Sequence, residues 1–313
     1  MSVIILYFLG GIGLFLFGIT LLSNNVIEVG GNLFKYRLNK ILANPLYATG
    51  LGLSVTVIIQ SSSATNSFTV RLADKGLLDT ESSYYIVMGA NIGTTITAYL
   101  AVLAKLNFTY LIAAILFPAA VIFMTTKNYK LKNYSKILSC LSLVFIGLII
   151  VKDSLTPLHD TIYNFLSSND RPLMLFLFSL LITIIFQSSS LTSVLLVTMA
   201  GLNIISIQSA LLMVMAINIG TCFSVLLAGI GCSLKGWSVA IFHLLFNVIG
   251  TFLHLFLLYS GLLDFIINAR IPADTKIALY HTFFNATTTL FVFYFIPQIS
   301  SIINKIIKKR ART

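Results

Sequence analysis

LYATGLGLSVTVIIQSSSATNSFTVRLA, residues 46–73, is the stretch whose reading decides the fold. Apolar residues fill both flanks, and a run of hydroxyl and amide side chains headed by Gln60-Ser61-Ser62-Ser63 interrupts the middle. A second apolar segment, 172–200, is interrupted the same way by Gln187-Ser188-Ser189-Ser190. Within hydrocarbon such groups are costly unless they face protein or a water-filled cavity. A re-entrant helical hairpin meets that condition, with two half-helices dipping in and meeting at a polar tip. Each segment follows a more polar stretch suited to the interface, 23–44 and 153–171.

The two segments belong to a repeat. Asn91-Ile92-Gly93-Thr94 recurs as Asn218-Ile219-Gly220-Thr221, and both motif pairs are offset by 127 residues. Aligned without a gap, 60–94 and 187–221 share 14 of 35 positions, which excludes coincidence.

Composition sets the surroundings. Of 313 residues, 58% are hydrophobic and 9% are charged, against about 25% charged in soluble domains. Hydropathy places further spans at 3–22, 83–104, 107–125, 136–152, 207–230, 237–260 and 277–297, each near the ~20 residues that cross a bilayer. The expected fold is an all-α integral membrane protein with about seven full spans plus two hairpins. The first residues run straight into an apolar segment, which reads as an uncleaved span. The net charge of +11 does not call for nucleic acid, because the basic residues lie between spans where the positive-inside rule accounts for them. If both hairpins return to their own side, 15 of the 20 basic residues share one face, against 12 if both segments cross. That topology puts the N-terminus outside and the C-terminus in the cytoplasm of a cell membrane. The units read as 1–130 (hairpin 46–73, broken helix 83–104) and 131–300 (hairpin 172–200, broken helix 207–230, late helices). They are inverted relative to each other, and 301–313 forms a basic cytoplasmic tail.

The chemistry follows from the polar runs. Serines at a hairpin tip lie where a half-helix begins, so orphan amides and the helix dipole favour an anion there. Gln, Asn, Ser and Thr oxygens suit a small hard cation. No Asp or Glu falls mid-span, and a buried titratable chain or carboxylate metal site would need one. Sodium held by neutral oxygens is therefore the expected coupling ion. Gly93 and Gly220 suit either unwinding or close helix crossings, and Gly10-Gly11-Ile12-Gly13 suits helix packing. His243 with Asn247, and His281 with Asn285, repeat a His-x-x-Phe-Asn pattern on one helix face, read as polar packing between two late helices. Cys140, Cys222 and Cys232 read as packing residues. No hydrolase triad, Walker loop or dinucleotide fingerprint is present, so an enzyme is not expected.

Paired Gln-Ser-Ser-Ser motifs, each followed by Asn-Ile-Gly-Thr, resemble the type II sodium–phosphate cotransporters and their bacterial relatives. The resemblance implies phosphate at the facing tips, on Ser61, Ser62, Ser63, Ser188, Ser189 and Ser190. It implies sodium near Gln60, Thr65, Asn91 and Thr94, and near Gln187, Thr192, Asn218 and Thr221. It also implies alternating access, with no cofactor beyond the coupling sodium ions. Membrane lipid and a second copy of the chain, as a homodimer, complete the expected partners. Thr95 becomes Cys222 in the second half, so the half-sites are not chemically equivalent. Other readings stay open: a different oxyanion or a carboxylate as substrate, phosphate export, or a channel or scaffold.

Overall fold

A computed structural model of the chain describes residues 3–18, 44–104, 129–158 and 172–310, with single positions at 21, 42, 115, 118, 121, 125, 160 and 164. The described residues contain helices and no strand. The predicted span 107–125 and the interfacial stretches 23–44 and 153–171 lie wholly or largely outside them.

The chain opens with α1 (Val3–Gly18), followed by the pair α2 (Pro45–Ile59) and α3 (Ser62–Asp74). Next come α4 (Thr80–Thr94), α5 (Ile96–Ala104) and α6 (Tyr129–Leu155). A second pair, α7 (Pro172–Phe186) and α8 (Ser189–Gly201), leads into α9 (Ile207–Gly229). The late helices are α10 (Leu234–Tyr259), the short α11 (Asp264–Ile267), α12 (Ala273–Tyr294) and α13 (Ile296–Arg310). Among the described residues, four helices are long and apolar enough to cross a membrane: Thr80–Ala104, Ser135–Leu155, α9 and α10. Counting α12 with the first part of α13, bent by 80°, makes five. The other apolar helices α1, α2, α7 and α8 are shorter.

The sequence repeat is a structural one. α2 and α3 map onto α7 and α8 at the 127-residue offset, end for end, and Asp79 and Ser206 cap the next helices in the same way. The second hairpin helices cross between halves: α3 packs on α9 and α10, and α8 packs on α5 and α12. Two buried clusters result, and each draws side chains from both repeats.

One expectation is corrected. The helix at 207–230 was expected to be broken, yet α9 is continuous, while its counterpart is interrupted at Thr95. The two helices differ in residue at that position. Thr95 Oγ1 donates to the carbonyl of Ile92, three residues back. Cys222 Sγ reaches four residues back, 3.5 Å from the Asn218 oxygen. Within the stretch 301–313, residues up to Arg310 are helical and continue α13. Pro297 cannot donate the amide that would extend α12, so the chain turns and starts a new helix. Ile299 and Ile303 then bury one face of that helix.

Close backbone contact sets the spacing of α2 and α4. A Cβ on Gly89 would overlap the Thr49 carbonyl, and one on Gly52 would overlap that of Ile86. Gly93 and Gly220 likewise face Thr56 and Thr183 across crossings, as the packing reading expects. Of the early glycines, Gly11 is tight against Ile150, whereas Gly10 and Gly13 have open space.

Candidate functional site

The tips are built by local backbone chemistry. α2 ends in the β-branched run Val55-Thr56-Val57-Ile58-Ile59, where helix propensity is low. Gln60 then takes a left-handed conformation, φ 56°, that ends the helix. Ser61 is extended, and its Oγ accepts from the amide of Ala64 at 3.2 Å, capping α3. The second tip repeats each step, with Gln187 at φ 50° and Ser188 Oγ accepting from Leu191 at 3.2 Å. A non-glycine residue at positive φ costs about 1 kcal/mol or more, so both tips hold strain that the surroundings must stabilise.

A threonine pair ties each hairpin together behind its tip. Thr56 and Thr65 hydroxyls meet at 3.0 Å, and Thr183 and Thr192 meet at 3.2 Å. Thr65 also donates to the Ser61 carbonyl and Thr192 to that of Ser188. Among the serines, Ser62, Ser189 and Ser190 are buried, whereas Ser61, Ser63 and Ser188 are half-buried.

The tips touch. Ser190 Oγ donates to the Gln60 carbonyl at 3.0 Å. Thr97 Oγ1 donates to Gln60 Oε1 at 3.0 Å and lies 3.5 Å from Ser190 Oγ. Four oxygens from three elements therefore gather at one buried place, a set suited to a hard cation beside the anion-favouring starts of α3 and α8. Gln187 does not join them; it is exposed.

The Asn-Ile-Gly-Thr motifs lie on α4 and α9. Asn91 and Asn218 each donate Nδ2 to the carbonyl four residues back, Val87 and Val214. Thr94 and Thr221 hydroxyls are taken by their own helices, at Ala90 and Asn218. Asn91 Oδ1 lies 3.4 Å from His243 Nε2. That contact adds to the expected packing between the late helices: His243 also reaches back to the first motif. Asn247 Nδ2 meets Cys222 Sγ at 3.2 Å beside the second motif.

Thr97, Thr56 and Thr183 were missed in the sequence reading, although the repeat held a signal for them. Extending the 127-residue offset upstream pairs Thr56 with Thr183, and extending it downstream pairs Thr97 with Ser224.

Outside the spanning segments, Asp74 closes the foot of the first hairpin. Its Oδ1 accepts from the Ser233 amide at 2.6 Å, and that bond holds the carboxyl below the usual carboxylate range. Arg71 reaches Cys232 Sγ at 3.3 Å in the same place.

A helical membrane chain whose two repeated polar breaks meet in its interior has the build of a transport protein. The comparisons are specific about which kind. The chain belongs to the Na+/Pi-cotransporter family, which matches residues 14–153 and 158–268, a family of phosphate transporters and not of enzymes. It is 27% identical to YqeW of Bacillus subtilis (strain 168) over 283 residues, 88% of this chain and 89% of that protein. It is 23% identical to YjbB of Escherichia coli (strain K12), a candidate inorganic phosphate exporter by name, over 312 residues. That match covers 97% of this chain but 56% of YjbB, so the chain spans about half of that relative. A 70-residue stretch is 46% identical to the sodium-dependent phosphate transport protein 2A of Oryctolagus cuniculus, covering 22% of this chain and 11% of that one. No solved structure matches the chain.

Proposed function

We propose that this protein carries inorganic phosphate across the cell membrane, coupled to sodium ions, by alternating access between two inverted halves. The observation that carries the reading is the contact between the tips, where Ser190 of one Gln-Ser-Ser-Ser motif bonds Gln60 of the other. Phosphate is held at the starts of α3 and α8 by Ser61, Ser62, Ser63, Ser188, Ser189 and Ser190. Sodium is held by neutral oxygens nearby, from Gln60, Thr65, Asn91, Thr94, Gln187, Thr192, Asn218 and Thr221. The names of YjbB and of the rabbit protein support phosphate as the substrate, and the second supports sodium as the coupling ion.

The inverted reading draws support from the hairpin feet. Gly201, at the foot of the second hairpin, leads into the start of α9, while Asp74, at the foot of the first, meets Ser233 just beyond its end. The feet thus lie at opposite ends of a 23-residue helix. Such a helix is about 35 Å long, enough to cross the hydrocarbon. Arg71 and Lys75 accompany the end we assign to the cytoplasm. Association with lipid, and with a second copy, belongs to the same reading.

The test is uptake of radiolabelled phosphate into proteoliposomes under an inward sodium gradient, with potassium in place of sodium as the contrast. Accumulation above equilibrium only with sodium is the expected result, and it falls in Ser61→Ala and Ser188→Ala variants that still insert. Equal uptake in potassium would sink the coupling, and no uptake by folded protein in either salt would sink phosphate as the substrate. Export is the same cycle run against the opposite gradient, so proteoliposomes preloaded with phosphate read the direction.

A further inference from the structure

The two His-x-x-Phe-Asn patterns occupy one and the same place against the two hairpins. A Cβ on Gly236, at the start of α10, would lie 3.0 Å from Asp74 Cβ and from the Val70 carbonyl at the end of α3, so the two helices are close there. A Cβ on Gly201, at the end of α8, would lie 3.2 Å from Asp274 Cβ at the start of α12. The helices of each pair pack on one another, and the meeting of one helix's end with the other's start makes each pair antiparallel. Asn66 lies eight residues before Asp74, and His243 lies seven after Gly236. Ser193 lies eight residues before Gly201, and His281 lies seven after Asp274. At about 1.5 Å per residue, each pair is level to within a turn of helix.

At these two levels the buried polar atoms lack partners. Asn66 is 0% exposed and Ser193 is 2% exposed, and neither Asn66 Oδ1 and Nδ2 nor Ser193 Oγ has a hydrogen-bond partner among the described residues. His243 Nδ1, Asn247 Oδ1, His281 Nε2 and Asn285 Oδ1 have none either. On the late helices the free amide atoms are acceptors. Asn247 Nδ2 donates to the His243 carbonyl and Asn285 Nδ2 to that of His281, both at 3.0 Å, which leaves each Oδ1 as the unused end. Orphaned polar groups buried at membrane depth mark ion or substrate sites. The two late-helix amide oxygens, with the amide and hydroxyl oxygens of Asn66 and Ser193, are the hard neutral ligands a small cation takes.

We propose that each hairpin and its His-x-x-Phe-Asn helix enclose a sodium site. One holds Asn66 and Asn247, and the other holds Ser193 and Asn285. His243 is a positioning residue for the first, since its ring also meets Asn91. Binding there would clamp each second hairpin helix to a late helix, so that sodium sets the tips before phosphate arrives. The proposal rests on the sodium-coupled reading above.

The test is thermal unfolding of the full chain in detergent without phosphate, titrated with sodium chloride against choline chloride at fixed ionic strength. Wild-type protein should be stabilised saturably by sodium. Asn247→Ala and Asn285→Ala should each raise the sodium midpoint about tenfold or more, the loss of one good ligand. The phosphate midpoint at saturating sodium should stay within about threefold, because the tips are untouched. Asn66→Ser copies the residue of the second half and should stay within about threefold of wild type. Where an alanine variant does not fold, the isosteric Asn247→Asp serves, and its added charge should lower the sodium midpoint. An unchanged sodium midpoint in folded Asn247 and Asn285 variants overturns these sites and leaves the transport reading standing. A wild-type protein indifferent to sodium, in unfolding and in uptake alike, overturns that reading itself.

Discussion

At the first tip the Gln60 side chain is buried and held on two sides, its amide by the Val57 carbonyl and its oxygen by Thr97. At the second, Gln187 adopts the same left-handed backbone and is exposed. The difference traces to the helices behind the tips. In the first half the interruption at Thr95 separates α4 from α5, and Thr97 bonds Gln60. In the second, α9 runs through Cys222, and Ser224, the counterpart of Thr97, spends its hydroxyl on its own helix at Thr221. One template has thus been finished as a closed half-site and an open one. Identical motifs fix the backbone of a tip, whereas a single residue in another helix decides whether its side chain is enclosed.

The comparison can be broken most forcefully at the helix crossings. Gly89→Ala places a methyl on the Thr49 carbonyl and should cost about 3 kcal/mol or more of stability. Its counterpart Ala216→Gly should cost only about 1 kcal/mol, because that crossing already accepts a Cβ. Thermal unfolding of both variants checks the contrast, and equal losses would mean that the two crossings are equally tight. Transport comes next. Gln60→Asn tolerates positive φ but shortens the reach to Thr97, and should lower phosphate uptake about tenfold, the worth of roughly one buried hydrogen bond. Gln187→Asn should lower it by less than about threefold, since no comparable partner is lost.

Smaller effects sharpen the account of the break. Thr95→Cys should let α4 and α5 join, with slower hydrogen exchange over residues 92–98 and a stability change under about 1 kcal/mol. Cys222→Thr should loosen α9 at the matching turn. The smallest effect is at the hairpin foot. The Ser233 amide lowers the Asp74 pKa, so the bond stabilises the folded protein above the ordinary carboxylate value, near ~3.9. That contribution is lost as pH falls through the lowered folded value. Asp74→Asn should therefore speed exchange in the 230–236 loop at neutral pH and change nothing at pH values below the titration.

Much of this was legible in the sequence because the governing physics is local. The breaks follow from a β-branched run, a polar residue that ends the helix, and a serine that caps the next one. The repeat offset carried over to the structure at every one of those steps. The break in the second motif helix was misread, because a repeated motif was taken to carry a repeated break, whereas α9 runs through it. The role assigned to the His-x-x-Phe-Asn segments was incomplete for another reason. Their spacing reveals a helix face but not which hairpin faces it, and that depends on contacts such as Asp74 with Gly236, 162 residues apart.

The sequence by itself determined a helical membrane chain, its duplication, and the places where hydroxyl and amide groups interrupt it. Each of these rests on composition or on interactions spanning a few residues. Only the tertiary structure decided that Ser190 meets Gln60, that Thr97 completes that contact, and that one glutamine is buried while its twin is not. Those outcomes depend on how helices from the two repeats cross, and crossing is set by volume and close approach between residues far apart in the chain.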